Sequence, residues 1–217
     1  MNHPFPDMIL FDWDNTLIDT TPVLFKAYNV LRDRYDLPVL TMDEYKAATG
    51  ISLRESFPQM FGDRWTEARE VYLNAYRQYN LTELCPFPDA ERLVAFCAEK
   101  IGAVGVVSNK TSEILRKEIE KLGWGKYFKA VVGAGDAERD KPAADPALKA
   151  VRDAGLPSSA VVWFAGDGDA DIACARAAGY RPVRFAPAPV DGGDVKTVAD
   201  CSEMLLLLSR LEKSRSK

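Results

Sequence analysis

Short, nearly continuous apolar runs recur along the chain, and each ends in polar residues. They lie at Met8–Phe11, 103–107, 130–132 and 160–165. Such runs are typical of strands that are buried on both faces of a parallel sheet. A further strand is predicted at 182–185.

Between these runs, the apolar residues follow the spacing of amphipathic helices. A glycine stands where three of these helices should end, at positions 123, 155 and 179. The alternation of strand and helix predicts a doubly wound α/β core with a parallel sheet. The predicted helices of this core are 89–100, 111–122, 146–154, 171–178 and 202–212.

Residues 19–88 break this alternation, because they have helical periodicity throughout. The segment is too long for a simple crossover between two strands. We therefore expect a core domain formed by residues 1–18 and 89–217, and an inserted helical cap domain, 19–88, over one end of the sheet. Prolines at positions 86 and 88 mark the return to the core.

Composition and charge exclude several classes of protein. With 47% hydrophobic and 28% charged residues among 217, the chain has the profile of a globular protein. The net charge of -4 and the lack of a basic stripe argue against nucleic acid and anionic membranes as partners. No apolar run suits a membrane span or a signal peptide, so a cytoplasmic protein is expected. The oligomeric state leaves no signal in the sequence.

Cysteine and histidine usage narrows the chemistry further. The four cysteines are irregularly spaced without a CxxC pair, so they are expected to be reduced thiols rather than disulfides or zinc ligands. The single histidine, His3, lies near the N-terminus, which argues against a histidine base or a histidine-bound metal. Catalysis would then depend on carboxylates, lysine and hydroxyl groups.

Polar residues follow four of the predicted strands, at the sheet edge where open parallel sheets bind ligands. Crowded carboxylates raise one another's pKa and repel, unless a cation holds them. A hard divalent ion with oxygen ligands, Mg²⁺, is the simplest solution, with Asp167 as a direct ligand and Asp171 ligating or orienting it. The polar residues at the four strand ends are Asp12, Asp14 and Thr16, then Ser108, Asn109 and Lys110, then Lys141, and finally Asp167, Asp169 and Asp171.

This set of residues is suited to phosphoryl transfer. An ionised Asp12 can attack phosphorus if Mg²⁺ and Lys141 neutralise the charge of the phosphate. If the chain turns after Asp12, Asp14 can reach the leaving-group oxygen as a general acid and later deprotonate a water. Ser108 and nearby backbone N–H groups can hold phosphate oxygens. The residues expected to contact phosphate or substrate are Thr16, Ser108, Asn109, Lys141 and Arg54.

Arg54 is the one member of this group outside the predicted core. It follows Gly50 in a loop of the cap that should face the active site. Its guanidinium group could bind a carboxylate or hydroxyl groups of the substrate. An exposed arginine with no role in binding explains the residue equally well.

The segments FDWDNTL, VVSNK, RDKP and AGDGDAD resemble the four motifs of the haloacid dehalogenase superfamily in order and spacing. Asp12, Ser108, Lys141 and Asp167 are separated by 96, 33 and 26 residues. The resemblance covers nearly the whole chain, since 19–88 is similar to the family's cap of the first type. Within the superfamily, the chain is most similar to phosphoglycolate phosphatases and their beta-phosphoglucomutase-like relatives.

The resemblance implies Asp12 as the nucleophile and Asp14 as the acid and base, with the backbone carbonyl of Asp14 binding magnesium. It also implies Ser108 and Lys141 as phosphate ligands and Asp167 as a magnesium ligand, with Asp12 in the same coordination shell. The second acid, Asp14, separates the chain from the dehalogenase and phosphonatase branches.

Two residues of the first motif depart from the usual pattern of the family. Asn15 stands where glycine is usual, and Trp13 stands where a smaller apolar residue is common. Asparagine tolerates left-handed backbone angles better than most residues, so Asn15 is expected to preserve the turn.

The resulting hypothesis is a magnesium-dependent phosphatase that acts on a small phosphorylated metabolite such as 2-phosphoglycolate. A sugar phosphomutase would use the same residues, and the sequence does not separate the two reactions. A receiver-type signalling domain also gathers acids, a hydroxyl and a lysine, but it would lack a cap and the DxDxT order. A dinucleotide-binding domain is disfavoured because no GxGxxG follows the first strand.

Overall fold

The computed structural model describes residues 5–48, 53–188 and 195–215. His3 and Gly50 lie outside these ranges. The chain divides into two compact units. The first, here called the core unit, comprises Met1–Asp19 and Pro86–Lys217, and the second, the helical unit, comprises Thr20–Cys85.

Within the described residues, the core unit forms a six-stranded sheet in the order β3-β2-β1-β4-β5-β6, with parallel pairing between neighbours. The predicted parallel α/β core is therefore confirmed. The strands are β1 (Met8–Phe11), β2 (Val104–Thr111), β3 (Ala130–Ala134), β4 (Val162–Gly166), β5 (Arg181–Phe185) and β6 (Lys196–Val198).

Strand β6 was not predicted from the sequence. It is three residues long and lies at the edge of the sheet, where only Val198 is buried. An edge strand of this length has no apolar run to reveal it, since one of its sides has no neighbouring strand.

In both units, helices form in the segments where the spacing of apolar residues predicted them. Gly123 and Gly179 have φ angles of +69° and +73°, the left-handed conformation that ends a helix and that glycine adopts without strain. In chain order the helices are α1 (Thr21–Arg34), α2 (Met42–Ala48), α3 (Leu53–Phe61), α4 (Trp65–Tyr79), α5 (Ala90–Lys100), α6 (Ser112–Leu122), α7 (Asp145–Asp153), α8 (Asp169–Ala177) and α9 (Cys201–Arg215).

Strand β1 lies in the middle of the sheet, and its four residues are all fully buried. Met8 and Leu10 belong to one apolar cluster with Val132, Ala147 and Phe164. Burial of a side chain of this size stabilises the fold by about 1.5–3 kcal/mol. The strand that carries the first acidic motif is therefore held rigidly on both faces.

In the helical unit, α1 packs against α4 and α3 against α4. Tyr28 and Tyr72 are buried, and Phe57 makes an edge-to-face contact with Tyr72 at a centroid distance of 5.9 Å. Aromatic packing of this kind agrees with the helical periodicity of the segment. The backbone of Arg54 lies in α3, but its side chain is outside the described part of the structure, so its substrate contact stays a prediction.

The four cysteines are free thiols, as predicted, and three of them are buried. In the ranges 5–48, 53–188 and 195–215, none of the helices combines the length and apolarity needed to cross a membrane. The cytoplasmic location expected from the sequence stays a prediction.

Candidate active site

The loop after β1 brings the first acids to the carboxyl edge of the sheet. The N–H of Asp12 donates to the carbonyl of Ala165, 2.8 Å away, and the N–H of Leu17 donates to the carbonyl of Trp13 at 3.0 Å. Between them, Asn15 has a φ angle of +56°. This is the left-handed conformation that asparagine adopts more readily than most residues, so the expectation that Asn15 preserves the turn is confirmed.

The ammonium group of Lys141 lies among the acids of the site. Its Nζ donates to Asp12 Oδ1 at 2.5 Å, to Asp171 Oδ1 at 2.6 Å and to the carbonyl of Val107 at 3.0 Å. These contacts use all three of its protons. Burial opposes the charged form, but the two carboxylates outweigh it and raise the pKa of Lys141 above its ordinary value. Lys141 therefore stays protonated and joins the loop after β1 to α8.

Two acids of the site, Asp12 and Asp167, have pKa values above the ordinary value. Burial raises the pKa of Asp12 to about 7 against the opposing charge of Lys141, and Asp171 and Asp14 add to the rise. Burial and the charge of Asp171 also raise the pKa of Asp167. A divalent cation between these groups would favour their ionised forms.

The carboxylates of Asp12, Asp167 and Asp171 fit such a cation. Each offers one oxygen, and the three oxygens lie within 4.8 Å of one another. Hard oxygen donors in this number suit Mg²⁺, which usually completes its octahedron with water and substrate phosphate. Burial, with a smaller contribution from the charge of Asp171, raises the pKa values of Asp12 and Asp167, and Lys141 alone does not reverse the rise. The carbonyl of Asp14 as a further ligand stays a prediction.

Asp171 is held in a single orientation. Its Oδ1 accepts from Lys141, and its Oδ2 accepts from the N–H of Gly168 at 2.9 Å. A Cβ atom at Gly166 would lie 2.4 Å from the carboxyl group, which is closer than any real contact. The glycine that ends β4 thus makes room for the carboxylate. These contacts fix the carboxylate of Asp171 beside Lys141, while its predicted role of ligating or orienting the metal stays a prediction.

The residues after β2 reach Lys141 through the backbone. Asn109 Nδ2 donates to the carbonyl of Lys141 at 2.9 Å, and the N–H of Lys141 donates to Asn109 Oδ1 at 3.0 Å. Ser108 is buried, and its Oγ accepts from the N–H of Lys110 at 3.2 Å. Asn109 therefore positions the lysine. The phosphate contacts predicted for Ser108 and Asn109 stay predictions.

Thr16 and Asp167 connect the first and last motifs. Thr16 Oγ1 donates to Asp167 Oδ1 at 3.2 Å and accepts from the N–H of Asp167 at the same distance. The threonine is almost fully buried. The hydroxyl group of Thr16 thus contacts a carboxylate of the acidic cluster, while its predicted contact with phosphate stays a prediction.

Sequence reasoning missed a buried charge network beside Asp14. Lys110 Nζ contacts Asp14 Oδ1 at 2.6 Å and both carboxylate oxygens of Glu118, at 2.9 and 2.7 Å. Trp13 Nε1 donates to the same glutamate at 2.7 Å. The position of Glu118 in the sequence was a signal of this network. It shares the buried face of α6 with Ile114 and Ile119. A carboxylate in an apolar stripe needs a partner.

Asp169, whose role the sequence left open, lies outside the acidic cluster. Its side chain is almost completely exposed and accepts a hydrogen bond from Arg184. The same arginine donates to the carbonyl of Asp167. Arg184, which lies in β5, therefore stabilises the loop after β4. This contact was not predicted from the sequence.

These four loops carry the motifs of a known family. A sequence profile described as "Haloacid dehalogenase-like hydrolase" matches residues 9–185, which is most of the chain. The chain belongs to the haloacid dehalogenase-like hydrolases. The family predicted from the four motifs is thereby confirmed, and membership in a hydrolase family argues against a receiver-type signalling domain.

Two relatives with named activities are similar to most of the chain. A phosphoglycolate phosphatase of Xanthomonas campestris is 28% identical over 184 residues, which are 82% of each chain. An N-acetylmuramic acid 6-phosphate phosphatase of Pseudomonas aeruginosa is 28% identical over 179 residues, or 80% of this chain and 78% of the relative. The expectation of a phosphatase within the haloacid dehalogenase-like hydrolases is confirmed at this level.

A solved structure of the same family is similar over its whole length. A haloacid dehalogenase-superfamily hydrolase from Ehrlichia chaffeensis is 28% identical, with a TM-score of 0.67 over 96% of this chain and 98% of that protein. The similarity therefore includes the helical unit as well as the core unit.

Proposed function

We propose that this protein is a magnesium-dependent phosphatase that hydrolyses a small phosphorylated metabolite through an aspartyl-phosphate formed on Asp12. The observation that carries the proposal is the position of Asp12. Its carboxylate is bonded to Lys141 and lies within 4.8 Å of oxygens of Asp167 and Asp171. A buried carboxylate between a lysine and a site for a hard cation is suited to attack on phosphorus.

Asp12, Asp167 and Asp171 would hold the magnesium ion, and the ion would neutralise negative charge on the phosphate and on the nucleophile. Lys141 supplies a fixed positive charge in the same place. Ser108 and the backbone N–H groups at the start of α6 are proposed to bind phosphate oxygens. Asn109 and Asp171 keep the lysine in position through the contacts described above.

In the first step, an oxygen of Asp12 forms a bond to phosphorus while the bond to the ester oxygen breaks. Asp14 gives its proton to that ester oxygen, which leaves as an alcohol. In the second step, Asp14 takes a proton from a water molecule as the water oxygen attacks phosphorus. The bond between phosphorus and Asp12 then breaks, and inorganic phosphate and the free aspartate are formed.

We further propose that the helical unit, Thr20–Cys85, is the cap that selects the substrate. A closing cap would exclude bulk water during attack and favour small molecules over phosphoproteins. The phosphoglycolate phosphatase among the relatives supports a small phosphorylated acid as a substrate. The N-acetylmuramic acid 6-phosphate phosphatase is equally similar in sequence but is named for a different substrate. The proposed substrate class is therefore small phosphorylated metabolites in general.

The test is hydrolysis of p-nitrophenyl phosphate and of a panel of phosphorylated metabolites by the purified protein. We expect turnover with Mg²⁺, loss of turnover in EDTA and recovery when Mg²⁺ is added in excess. Asp12→Asn should abolish turnover while the circular dichroism spectrum is unchanged. Turnover without metal, or turnover by Asp12→Asn, would contradict the proposal.

The panel also distinguishes hydrolysis from the phosphomutase reaction. A phosphatase releases one inorganic phosphate for each substrate molecule consumed. A mutase consumes a sugar phosphate without releasing phosphate and forms its positional isomer. Measurement of inorganic phosphate beside substrate loss therefore decides between the two reactions.

A further inference from the structure

The buried charge network beside Asp14 consists of Lys110 and Glu118, with Trp13 as a further hydrogen-bond donor. Glu118, in α6, is completely buried, and both of its carboxylate oxygens accept hydrogen bonds from Lys110. Glu118 Oε2 also accepts from Trp13 Nε1 at 2.7 Å. The glutamate is thus fixed by two donors from two different strand ends, β1 and β2.

Lys110 connects this buried anchor to the candidate active site. Its side chain is 6% exposed, and its Nζ lies 2.6 Å from Asp14 Oδ1, on a carboxylate that is 28% exposed. The contact is an ion pair rather than a well-directed hydrogen bond. One end of the network is therefore inside the protein, and the other end is the acid that reaches solvent.

A purely structural role would not need this arrangement. A buried ion pair is weak evidence for stability, because well-packed apolar residues of similar volume do as well or better. Glu118 instead holds two residues of the first motif, Trp13 directly and Asp14 through Lys110. This places two constraints on the turn that carries the acid.

We propose that Lys110, anchored by Glu118, is a positioning residue that holds the Asp14 carboxyl group in place for proton transfer to the leaving group. This inference rests on the phosphatase activity proposed above. In this proposal Lys110 and Glu118 act through Asp14 and not on the substrate directly. Asp14 remains the group that gives its proton to the ester oxygen as the bond from phosphorus to that oxygen breaks.

The two charges are best removed together. Lys110→Met alone would leave Glu118 as an uncompensated buried charge, which is strongly destabilising. In the double variant Lys110→Met/Glu118→Gln no charge remains at positions 110 and 118, and the glutamine oxygen can still accept from Trp13. Lys110→Arg keeps a cation at the position and serves as the conservative variant.

The test is a series of substituted phenyl phosphates, measured as kcat/KM in the holoenzyme with saturating Mg²⁺. This parameter includes only the steps up to release of the phenol. A nitrophenolate leaves without a proton, whereas a more basic phenol needs one from Asp14. We expect the double variant to lose at least about tenfold with unsubstituted phenyl phosphate and less than about threefold with p-nitrophenyl phosphate.

Two further variants make the outcome decisive. Lys110→Arg should recover part of the loss on phenyl phosphate. Glu120→Gln is the matched control, because Glu120 lies on the same helix, away from its N-terminus, and its side chain is exposed. It should behave like the wild type with every substrate.

An equal loss with all leaving groups, or no loss with any, would overturn the inference. If the double variant does not fold, the single variant Glu118→Gln takes its place, because the glutamine oxygen can still accept from the indole N–H of Trp13. We expect a smaller loss with the same dependence on the leaving group. A uniform or absent loss in this variant would likewise overturn the inference. Absence of wild-type turnover would contradict the proposed function instead, so the two failures are distinguishable.

Discussion

The side chain of Asn109 and the backbone of Lys141 exchange two hydrogen bonds, of 2.9 and 3.0 Å, between loops that follow different strands. The amide supplies one donor and one acceptor, and the backbone of Lys141 supplies the complementary pair. Asn109 therefore fixes the base of the lysine whose ammonium group contacts Asp12 and Asp171.

Asn109→Ala removes both bonds, and we expect kcat to fall about tenfold, because a loosened lysine stabilises the transition state less well. The free energy of unfolding should fall by about 1–2 kcal/mol, as two hydrogen bonds are lost. Steady-state kinetics and urea denaturation measure these quantities. Asn109→Asp keeps the acceptor but loses the donor, so it should be intermediate in stability. Unchanged kcat in Asn109→Ala would show that the clamp does not position Lys141.

Lys141→Met removes the positive charge between two buried carboxylates. We expect kcat/KM to fall by at least about 10²-fold, because the fixed charge that stabilises the transition state is lost. Kinetics with p-nitrophenyl phosphate would measure the loss. The control is Lys149→Met in α7, whose lysine forms an exposed pair with Asp153 at 2.9 Å. Equal activity of the two variants would exclude Lys141 from catalysis.

The pKa of Asp12, raised to about 7 from 3.8, predicts a pH dependence of stability and of metal binding. The folded protein without metal binds this proton more tightly than the unfolded chain does. Its stability therefore decreases as the pH rises from about 4 to about 7. Mg²⁺ binds the ionised carboxylate, so the increase in Tm on adding Mg²⁺ should be larger at pH 8 than at pH 5.

Thermal denaturation with and without Mg²⁺ across this range measures the effect. In Asp12→Asn, the titrating group is absent, and the part of the pH dependence between about 4 and 7 should largely disappear. A Tm increase that is the same at pH 5 and pH 8 would contradict a metal site that includes Asp12.

Gly166→Ala tests the close packing at the end of β4. The added Cβ would lie 2.4 Å from the carboxyl group of Asp171, so the acid must move away from Lys141. We expect a loss of about 1–3 kcal/mol in unfolding free energy and a lower kcat. Gly125→Ala is the control, because a Cβ there meets no atom within 4 Å. Wild-type kcat in Gly166→Ala would show that the position of Asp171 is not critical.

The sequence alone predicted the sheet and the family with few errors. The run Met8–Phe11 is apolar at every position because the strand is buried on both faces. Gly123 and Gly179 marked helix ends because their backbone angles favour glycine. These features depend on neighbours close in the chain. The edge strand β6 was missed because a strand of three residues has too few positions to form a pattern.

Distances in space decided what each polar residue does. Sequence order placed Asp12, Lys141, Asp167 and Asp171 at strand ends, but only the folded chain shows that Lys141 bridges two of these acids. The hydroxyl of Thr16 contacts Asp167, and the amide of Asn109 contacts the backbone of Lys141. Neither partner could be read from the sequence, and the phosphate contacts expected for both residues stay predictions. A hydroxyl or an amide group can form hydrogen bonds with many kinds of partner. The residue type therefore does not reveal which partner is present in the folded protein.

The sequence by itself determined the class of fold, the family and the set of acids, because burial, backbone conformation and motif order are written in local residue types. Only the tertiary structure decided that Glu118 and Lys110 are joined to Asp14. The physical reason is that hydrogen bonds and ion pairs are contacts of a few ångströms. Residues distant in sequence come within that range only after the strands and helices have packed.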